Sequence, residues 1–210
     1  MLVLALDTAT TDLVAGVVDG ERVVAETRVA TRAHNERLMP EITRLLAEAG
    51  VGFADVGAIV VGCGPGPFTG LRVGMSTASA LGQALGIPVH GVCTHDAVAA
   101  ELEGDALVVT DARRREVYWA RYASGERVAG PEVCKPADLA SPAVDVISVP
   151  EALAGQLPID APSVTYQPPP PAGLVAVANL DADPEPLVPL YLRRPDAVPP
   201  KQAPKSPALP

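Results

Sequence analysis

A short turn near the start of the chain has residue types that could hold a phosphate group or a metal ion. Asp7-Thr8-Ala9-Thr10 stands between two apolar runs, so it is predicted to follow a β-strand. A carboxylate at a strand end can hold a hydrated cation, and backbone N–H groups of such a turn can surround an anion. Aspartate at a turn is also a common backbone cap. Asp7 and Thr8 are therefore candidate phosphate-proximal residues.

A glycine-rich loop at residues 62–70 offers a second candidate anion site. It follows one predicted strand and opens a predicted helix, whose N-terminus could bind an anion. It is not a P-loop, because no lysine follows Gly70, and its two prolines, Pro65 and Pro67, lack the N–H groups that a phosphate needs. A tight turn that allows close packing explains the same residues equally well. Gly66 and Thr69 are the candidate phosphate-proximal residues here.

Other catalytic patterns are missing from the sequence. The three histidines do not occur in HExxH or another zinc-binding spacing, and no GxSxG nucleophile motif is present. The three cysteines are far apart with no CxxC pair, which favours reduced thiols over disulfides or structural zinc. We therefore expect no metal site.

One dense cationic run, Arg113-Arg114-Arg115, follows Asp111 in an otherwise acidic chain. Such runs are usually solvated turns. The alternative is a site for an anionic ligand or partner.

Composition narrows the classes of function. The chain has 210 residues, 48% of them hydrophobic, with a formal net charge of −9 and only 3% aromatic residues. The charge excludes a generally basic nucleic-acid surface, and the few aromatics disfavour base-stacking platforms, although RNA could be bound through a partner. The first residues lack the basic segment of a signal peptide, and no apolar run reaches the length of a membrane span. We expect a cytoplasmic protein without a membrane partner.

The first half of the chain has a clear pattern of alternating elements. Predicted strands and helices, in order, are the strands Leu2–Leu6, Leu13–Val18 and Arg22–Val29, the helix His34–Ala49, the strand Ala58–Val61, the helix Leu71–Leu85, the strand Pro88–Val92 and the helix Asp96–Glu103. Three antiparallel strands followed by βα units predict an α/β lobe of the ribonuclease-H-like type, used by actin, Hsp70 and sugar kinases.

The second half is dominated by proline. Nineteen of the 23 prolines lie at or after residue 131, so regular structure there should be reduced. Further strands are predicted at Ala106–Ala112, Glu116–Ala123, Val144–Val149 and Leu187–Leu192, with residues 168–171 as a polyproline connector. We predict an N-terminal lobe at 1–105, a smaller second lobe at 106–193 and a disordered tail at 194–210.

Several stretches together resemble one protein family. They are LVLALDTAT at 2–10, HNERLMPEI at 34–42, the glycine-loop block at 62–89, VVTDARRREVYWA at 108–120 and PLYLR at 189–193. They resemble the bacterial TsaB (YeaZ) family, accessory subunits of the machinery that adds threonylcarbamoyl to the adenosine next to the tRNA anticodon.

The resemblance implies a two-lobed actin-like fold and no independent catalysis. The catalytic relatives, the TsaD-type subunits, have an HxxxH metal motif whose positions fall here on Thr94 and Val98. The implied role is a scaffold for a TsaD-type transferase and a TsaE-type ATPase, with tRNA reached only through the complex and a homodimer when alone. No cofactor of its own is implied, although ATP or ADP could lie at the junction with the partners.

The resemblance also implies that the first two helices form the partner interface. The candidate interface residues on these helices are His34, Leu38, Met39, Ile42, Leu71, Arg72, Val73 and Met75.

Three other functions compete with the scaffold. An active ATPase or sugar kinase would need two phosphate turns and a glycine-rich adenosine loop, and the second half has no such loop. A peptidase would need metal ligands or a nucleophile–base pair. A self-contained homodimeric binding module is the third.

Overall fold

The computed structural model describes residues 1–193, which form two five-stranded sheets with helices packed on them. The first sheet contains β1 (Leu2–Asp7), β2 (Asp12–Asp19), β3 (Arg22–Ala30), β4 (Val56–Gly62) and β5 (Val89–Val92). The second sheet contains β6 (Ala106–Asp111), β7 (Val117–Ala123), β8 (Glu126–Cys134), β9 (Val146–Ser148) and β10 (Ser163–Thr165). The helices are α1 (His34–Glu48), α2 (Phe68–Leu85), α3 (Thr94–Ala99), α4 (Glu151–Ala154) and α5 (Pro171–Ala176).

Both sheets have the same topology. The first has the order β3-β2-β1-β4-β5, and the second, starting from its β8 edge, has the order β8-β7-β6-β9-β10. In each sheet the first three strands are antiparallel and the remaining two run parallel to the central one. The second lobe therefore repeats the first, and the predicted two-lobed, ribonuclease-H-like α/β fold is confirmed.

The core of the first lobe lies on both faces of its sheet. Because side chains alternate along a strand, Leu4 of β1 points to one face and Val3 to the other. Leu4 packs in a cluster with Leu38 of α1 and Leu71 of α2. Val3 packs in a second cluster with Leu174 of α5.

The second lobe is reduced because its connecting helices are short. The first lobe has helices of 15 and 18 residues after β3 and β4. The second lobe has at the equivalent places a single 3-10 turn at Pro136–Asp138 and the four-residue α4. Proline explains the difference, since it removes backbone donors and blocks helix interiors. Pro131 is tolerated in β8 because β8 is an edge strand.

Three of the predicted elements differ in the structure, and the sequence patterns do not indicate β8, β10, α4 or α5. Helix α3 ends at Ala99 rather than at Glu103. The predicted strand Leu187–Leu192 pairs with no sheet, and its Leu190 N–H donates a single 2.8 Å hydrogen bond to the carbonyl of Cys63. The predicted polyproline connector leads directly into α5, where Pro171 takes the first helical position that suits proline.

The end of the described chain returns to the first lobe. Leu174 and Leu187 both pack against first-lobe residues, whereas the second sheet ends at Thr165. Part of the range 106–193, predicted as the second lobe, thus packs against the first lobe. The predicted tail at 194–210 lies outside the described residues. Within residues 1–193, no helix has both the length and the apolar character that a membrane crossing requires.

Candidate functional site

Asp7 lies at the end of β1, and its carboxylate faces into the protein. Oδ1 accepts a 2.7 Å hydrogen bond from the backbone N–H of Ala9, and Oδ2 accepts a 2.7 Å hydrogen bond from the Thr94 hydroxyl. The residue is fully buried. Burial raises the pKa of Asp7 to about 6, against the lowering effect of the Thr94 and Ala9 hydrogen bonds. The carboxylate is thus a buried link between β1 and the start of α3.

Thr8 connects the same turn to α2 through two hydrogen bonds. Its hydroxyl donates a 2.7 Å hydrogen bond to the carbonyl of Gly70 and accepts a 3.0 Å hydrogen bond from the N–H of Gly74. A Cβ atom on Gly66 would lie 2.2 Å from the carbonyl oxygen of Ala9. Glycine is needed here because no side chain fits between the loop and the turn.

These contacts favour close packing as the role of the β1 turn and the first part of the glycine loop. Asp7, Thr8 and Gly66 are buried in packing contacts, and Gly66 also borders a small surface pocket of about 140 Å³. Of the four candidate phosphate-proximal residues, only Thr69 is exposed, and it lines the cleft between the lobes. The sequence could not distinguish an anion site from close packing because glycine serves both.

The position that corresponds to the metal motif of the catalytic relatives is filled by packing and hydrogen bonds. Thr94 and Val98 are both buried. The neighbouring His95 is completely buried, with Nε2 2.9 Å from the Thr110 hydroxyl. Burial, followed by the charge of Arg127, lowers the pKa of His95 to about 3. Among residues 1–193, no three His, Cys, Asp or Glu side chains are grouped so that they could bind a metal ion.

The candidate interface residues on α1 and α2 differ in how far their side chains are buried. Met39 and Arg72 are exposed, and His34 and Val73 are half-buried. Met75 is 9% exposed and belongs to the core cluster of the first lobe, although it also borders a surface groove beside α2.

Leu38, Ile42 and Leu71, by contrast, lie in the core of the first lobe. Their side chains are 1% exposed or less, so they cannot contact a partner in this structure. This corrects the sequence prediction for these three residues. Their helical spacing reflects packing against the protein's own sheet.

An exposed aromatic pair, which no sequence pattern indicates, adds to this face. The rings of Phe68 and Tyr191 stack with centroids 5.1 Å apart, and they are 43% and 39% exposed. The guanidinium of Arg72 lies 3.8 Å from the centre of the Phe68 ring, and its Nε donates a 3.1 Å hydrogen bond to the Tyr191 hydroxyl. Only the tertiary fold joins these residues, because Tyr191 is 119 positions from Arg72.

Beside this pair, α2 and the C-terminal segment form a groove of about 640 Å³. The exposed residues of α2 along it are small or polar, and include Ser76, Ser79 and Gln83. We call this the α2 groove. Its opposite wall includes Leu187 and Tyr191. A helix with small side chains on its exposed face allows another helix to approach closely.

A larger cavity of about 820 Å³, the interlobe cleft, lies between the two lobes. Residues from the first turn of α2 and from the N-terminal part of α1 line one side. The arginine run at 113–115, which connects β6 and β7, lines the other side.

Together, the repeated sheet topology and the interlobe cleft define a two-lobed protein of the actin-like, sugar-kinase-like class.

The family model described as TsaD, tRNA N6-adenosine threonylcarbamoyltransferase, matches residues 23–179. The tRNA threonylcarbamoyladenosine biosynthesis protein TsaB of Escherichia coli is 35% identical over 60% of this chain and 57% of its own length. The structure of YeaZ from Pseudomonas aeruginosa matches with a TM-score of 0.72 and 28% identity, covering 84% of this chain and 89% of that one. An uncharacterized protein of Mycobacterium tuberculosis is 55% identical over 94% of both chains. This chain belongs to the TsaB (YeaZ) family.

Proposed function

We propose that this protein is a non-catalytic subunit in the biosynthesis of threonylcarbamoyladenosine in tRNA, and that it binds a TsaD-type transferase. Membership of the TsaB family supports the pathway, since relatives such as the Escherichia coli protein are named for it. The observation that carries the partner role is the α2 groove with its exposed aromatic pair, because a surface with exposed rings beside a small-residue helix suits a partner helix.

The kind of partner follows from the shared fold. The TsaD family model matches this chain, so a TsaD-type subunit is expected to have equivalent first-lobe helices. Two related chains can pack these helices about an approximate two-fold axis, in the manner of a symmetric dimer. The same geometry allows two copies of this chain to pair when the partner is missing. A TsaE-type ATPase, and ATP or ADP at the junction of the subunits, complete the proposed assembly.

A scaffold role agrees with the state of Asp7. In a kinase-like mechanism, a carboxylate at this strand end would face the cleft and hold a hydrated metal ion. Here both carboxylate oxygens accept hydrogen bonds from Ala9 and Thr94 inside the protein. These contacts favour a structural role for Asp7 over the alternative of an active ATPase or sugar kinase.

The docking test uses the transferase subunit of the same organism and size-exclusion chromatography with light scattering. We expect the two proteins to elute as one complex. Ser79→Arg places a long charged side chain in the α2 groove and should weaken the complex at least ten-fold. Ser163→Arg makes the same substitution at an exposed position of β10 in the second lobe and should leave it unchanged. Equal binding by both variants would show that the docking surface lies elsewhere.

The pathway test is a reconstitution with tRNA, ATP, the small-molecule precursors of the threonylcarbamoyl group and the other subunits of the organism. Mass spectrometry of the digested tRNA should detect the modified nucleoside only when this chain is added. Hydrolysis of ATP by the isolated chain would instead favour the kinase-like alternative.

A further inference from the structure

The first sheet has an open edge at β5. β5 is the last strand of its sheet, so only one of its two sides pairs with another strand. The Val92 carbonyl accepts a 2.7 Å hydrogen bond from the N–H of Cys63, which directly follows β4. Because backbone groups alternate along a strand, the N–H and C=O of the preceding Gly91 point away from β4. They form no hydrogen bond within residues 1–193, and Gly91 is exposed.

A groove of about 550 Å³ borders this edge, and we call it the β5-edge groove. Residues His90 to Cys93 line it from the strand. The rest of its lining comes from residues 177–190, after α5, and from Arg127 and Pro131 of β8. Unpaired strand backbone is a template for a further strand. The lining therefore suits an extended chain better than a compact small molecule.

Apolar side chains add to the lining of the groove. Val177 and Val188 are 36% and 67% exposed. Exposed apolar side chains that are grouped at a concave surface are typical of a site for a partner.

The groove is also acidic. Asp96, Asp183 and Glu185 line it, and the lining Arg127 is already paired with Asp96 at 3.3 Å. Asp183 and Glu185 are exposed, and neither forms a salt bridge within residues 1–193. Two carboxylates are thus left without a cation, and they attract a positively charged partner.

His90 contributes a polar atom without a partner. The residue lines the groove and is 7% exposed, and its Nε2 forms no hydrogen bond within residues 1–193. A buried polar atom that lacks a hydrogen bond costs free energy. A partner rich in hydrogen-bonding groups, such as a peptide backbone, can offset that cost.

The C-terminal segment separates the β5-edge groove from the α2 groove. Pro186, Val188 and Leu190 line the β5-edge groove, whereas Leu187 and Pro189 line the α2 groove. This alternation is that of an extended chain, whose successive side chains point to opposite sides. The segment is therefore a wall common to two surfaces with different linings.

We propose that the β5-edge groove binds an extended, positively charged peptide segment of a partner protein, which adds a strand to the first sheet beside β5. The backbone of the segment pairs with Gly91, and its apolar side chains contact Val177 and Val188. Its lysine or arginine side chains face Asp183 and Glu185. The proposal does not depend on transferase docking at the α2 groove.

The test uses the full chain and a fluorescein-labelled hexapeptide of alternating lysine and valine. Fluorescence anisotropy should show saturable binding at one site per chain. Hydrogen exchange of the Gly91 amide should slow by about ten-fold or more in the complex, because this N–H becomes hydrogen-bonded. Absence of saturable binding, or binding that leaves the Gly91 exchange rate unchanged, would overturn the proposal.

Two further peptides separate strand pairing from charge attraction. A hexapeptide of alternating glutamate and valine should bind about ten-fold more weakly or not at all. The lysine–valine peptide with every backbone nitrogen methylated keeps its charge but has no N–H to donate, and it should lose about as much affinity. Equal binding of the methylated and unmethylated peptides would rule out an added strand.

Charge reversal at an exposed residue tests the site without disturbing the fold. Asp183→Lys should leave the melting temperature unchanged and weaken binding of the lysine–valine peptide by about five-fold or more. Asp160→Lys makes the same change at an exposed position between α4 and β10, and it should have much less effect. Equal weakening by both variants would indicate general charge attraction and overturn the site.

Two other outcomes distinguish this groove from other surfaces. Ser79→Arg, in the α2 groove, should leave peptide binding unchanged, so this proposal and transferase docking can fail separately. Dimerisation of the free chain that the peptide abolishes would assign the β5 edge to a second copy of this chain and overturn the proposal.

Discussion

The hydroxyl of Thr94 donates a 2.7 Å hydrogen bond to the carboxylate of Asp7, 87 positions earlier in the chain. Thr94 begins α3, and Asp7 ends β1. The same hydroxyl oxygen accepts a 3.2 Å hydrogen bond from the N–H of Gly64 in the glycine loop. One threonine therefore connects three segments at the position where the catalytic relatives are expected to have a metal ligand.

The buried charge of Asp7 predicts a stabilising substitution. The pKa of Asp7 is raised from 3.8 to about 6, so the native state binds its proton more tightly than the unfolded state does. The stabilisation from this proton is complete below pH 3.8 and is lost as the pH rises through about 6. Asp7→Asn keeps the acceptor for Ala9 and should increase the free energy of unfolding by about 2–3 kcal/mol at pH 8, with little change at pH 4.

Urea unfolding of the two proteins at several pH values measures this difference. Asp160→Asn is the matched control, since Asp160 is exposed and forms no hydrogen bond or salt bridge among residues 1–193. A stability difference for Asp7→Asn that does not change with pH would contradict the raised pKa of Asp7 in the native state.

His95 should produce the opposite pH dependence. Its pKa is lowered from 6.5 to about 3, so protons bind preferentially to the unfolded state. Its effect on stability is absent above pH 6.5, and stability then falls as the pH decreases towards 3. His95→Leu removes this dependence, and the loss on going from pH 7 to pH 5 should be about 2 kcal/mol smaller than in the parent protein. Leucine also removes the hydrogen bond between Nε2 and the Thr110 hydroxyl, a cost in stability that is the same at both pH values and cancels in this comparison.

Histidine NMR spectra test the same assignment without any substitution. The ring signals of His95 should stay those of a neutral imidazole from pH 8 down to pH 4. A titration of these signals between pH 6 and 7 would show that the ring is not buried as described. Since the effects of Asp7 and His95 oppose each other between pH 4 and 6, the parent protein should show less pH dependence there than either variant.

The glycine loop gives a prediction about packing. A Cβ atom at Gly66 would lie 2.2 Å from a backbone oxygen, and backbone cannot move as easily as the end of a side chain. Gly66→Ala should therefore lower the free energy of unfolding by about 2–3 kcal/mol. Gly155→Ala is the control, because nothing lies within 4 Å of its added Cβ atom and its φ of −73° suits alanine. Thermal unfolding of both variants measures the effect, and similar melting temperatures would disprove the close approach.

The sequence predicted the first lobe well because its elements have strong local patterns. The apolar run of β1 and the helical spacing of Leu38, Ile42 and Leu45 each indicate their element without reference to the rest of the chain. The order of the elements then predicts the sheet. The second lobe was predicted less completely, since β8 and α5 contain or adjoin prolines that usually exclude regular structure.

The site residues were harder to predict because their roles depend on contacts with residues that are distant in the sequence. Asp7 and Thr8 have residue types that suit a phosphate site, and only Thr94 and Gly70 show that their polar atoms are already occupied. In the same way, an apolar stripe on a helix does not distinguish the protein's own core from a partner surface. That distinction requires the exposed fraction of each side chain.

Leu38 and Met39 are neighbours on α1, one buried and the other exposed. Substitutions at these two residues therefore distinguish an effect on stability from an effect on partner binding. Leu38 is 1% exposed in the core, so Leu38→Ala should cost about 2–5 kcal/mol of stability. Met39 is 38% exposed, so Met39→Ala should change stability by less than about 0.5 kcal/mol.

Because α1 belongs to the proposed interface, Met39→Ala should still weaken transferase binding, by about three- to ten-fold. Val164→Ala removes an exposed apolar side chain from the edge of the second sheet and serves as the control, with no expected effect on binding. A binding loss in Val164→Ala, with full binding in Met39→Ala, would move the docking surface from α1 to the second lobe.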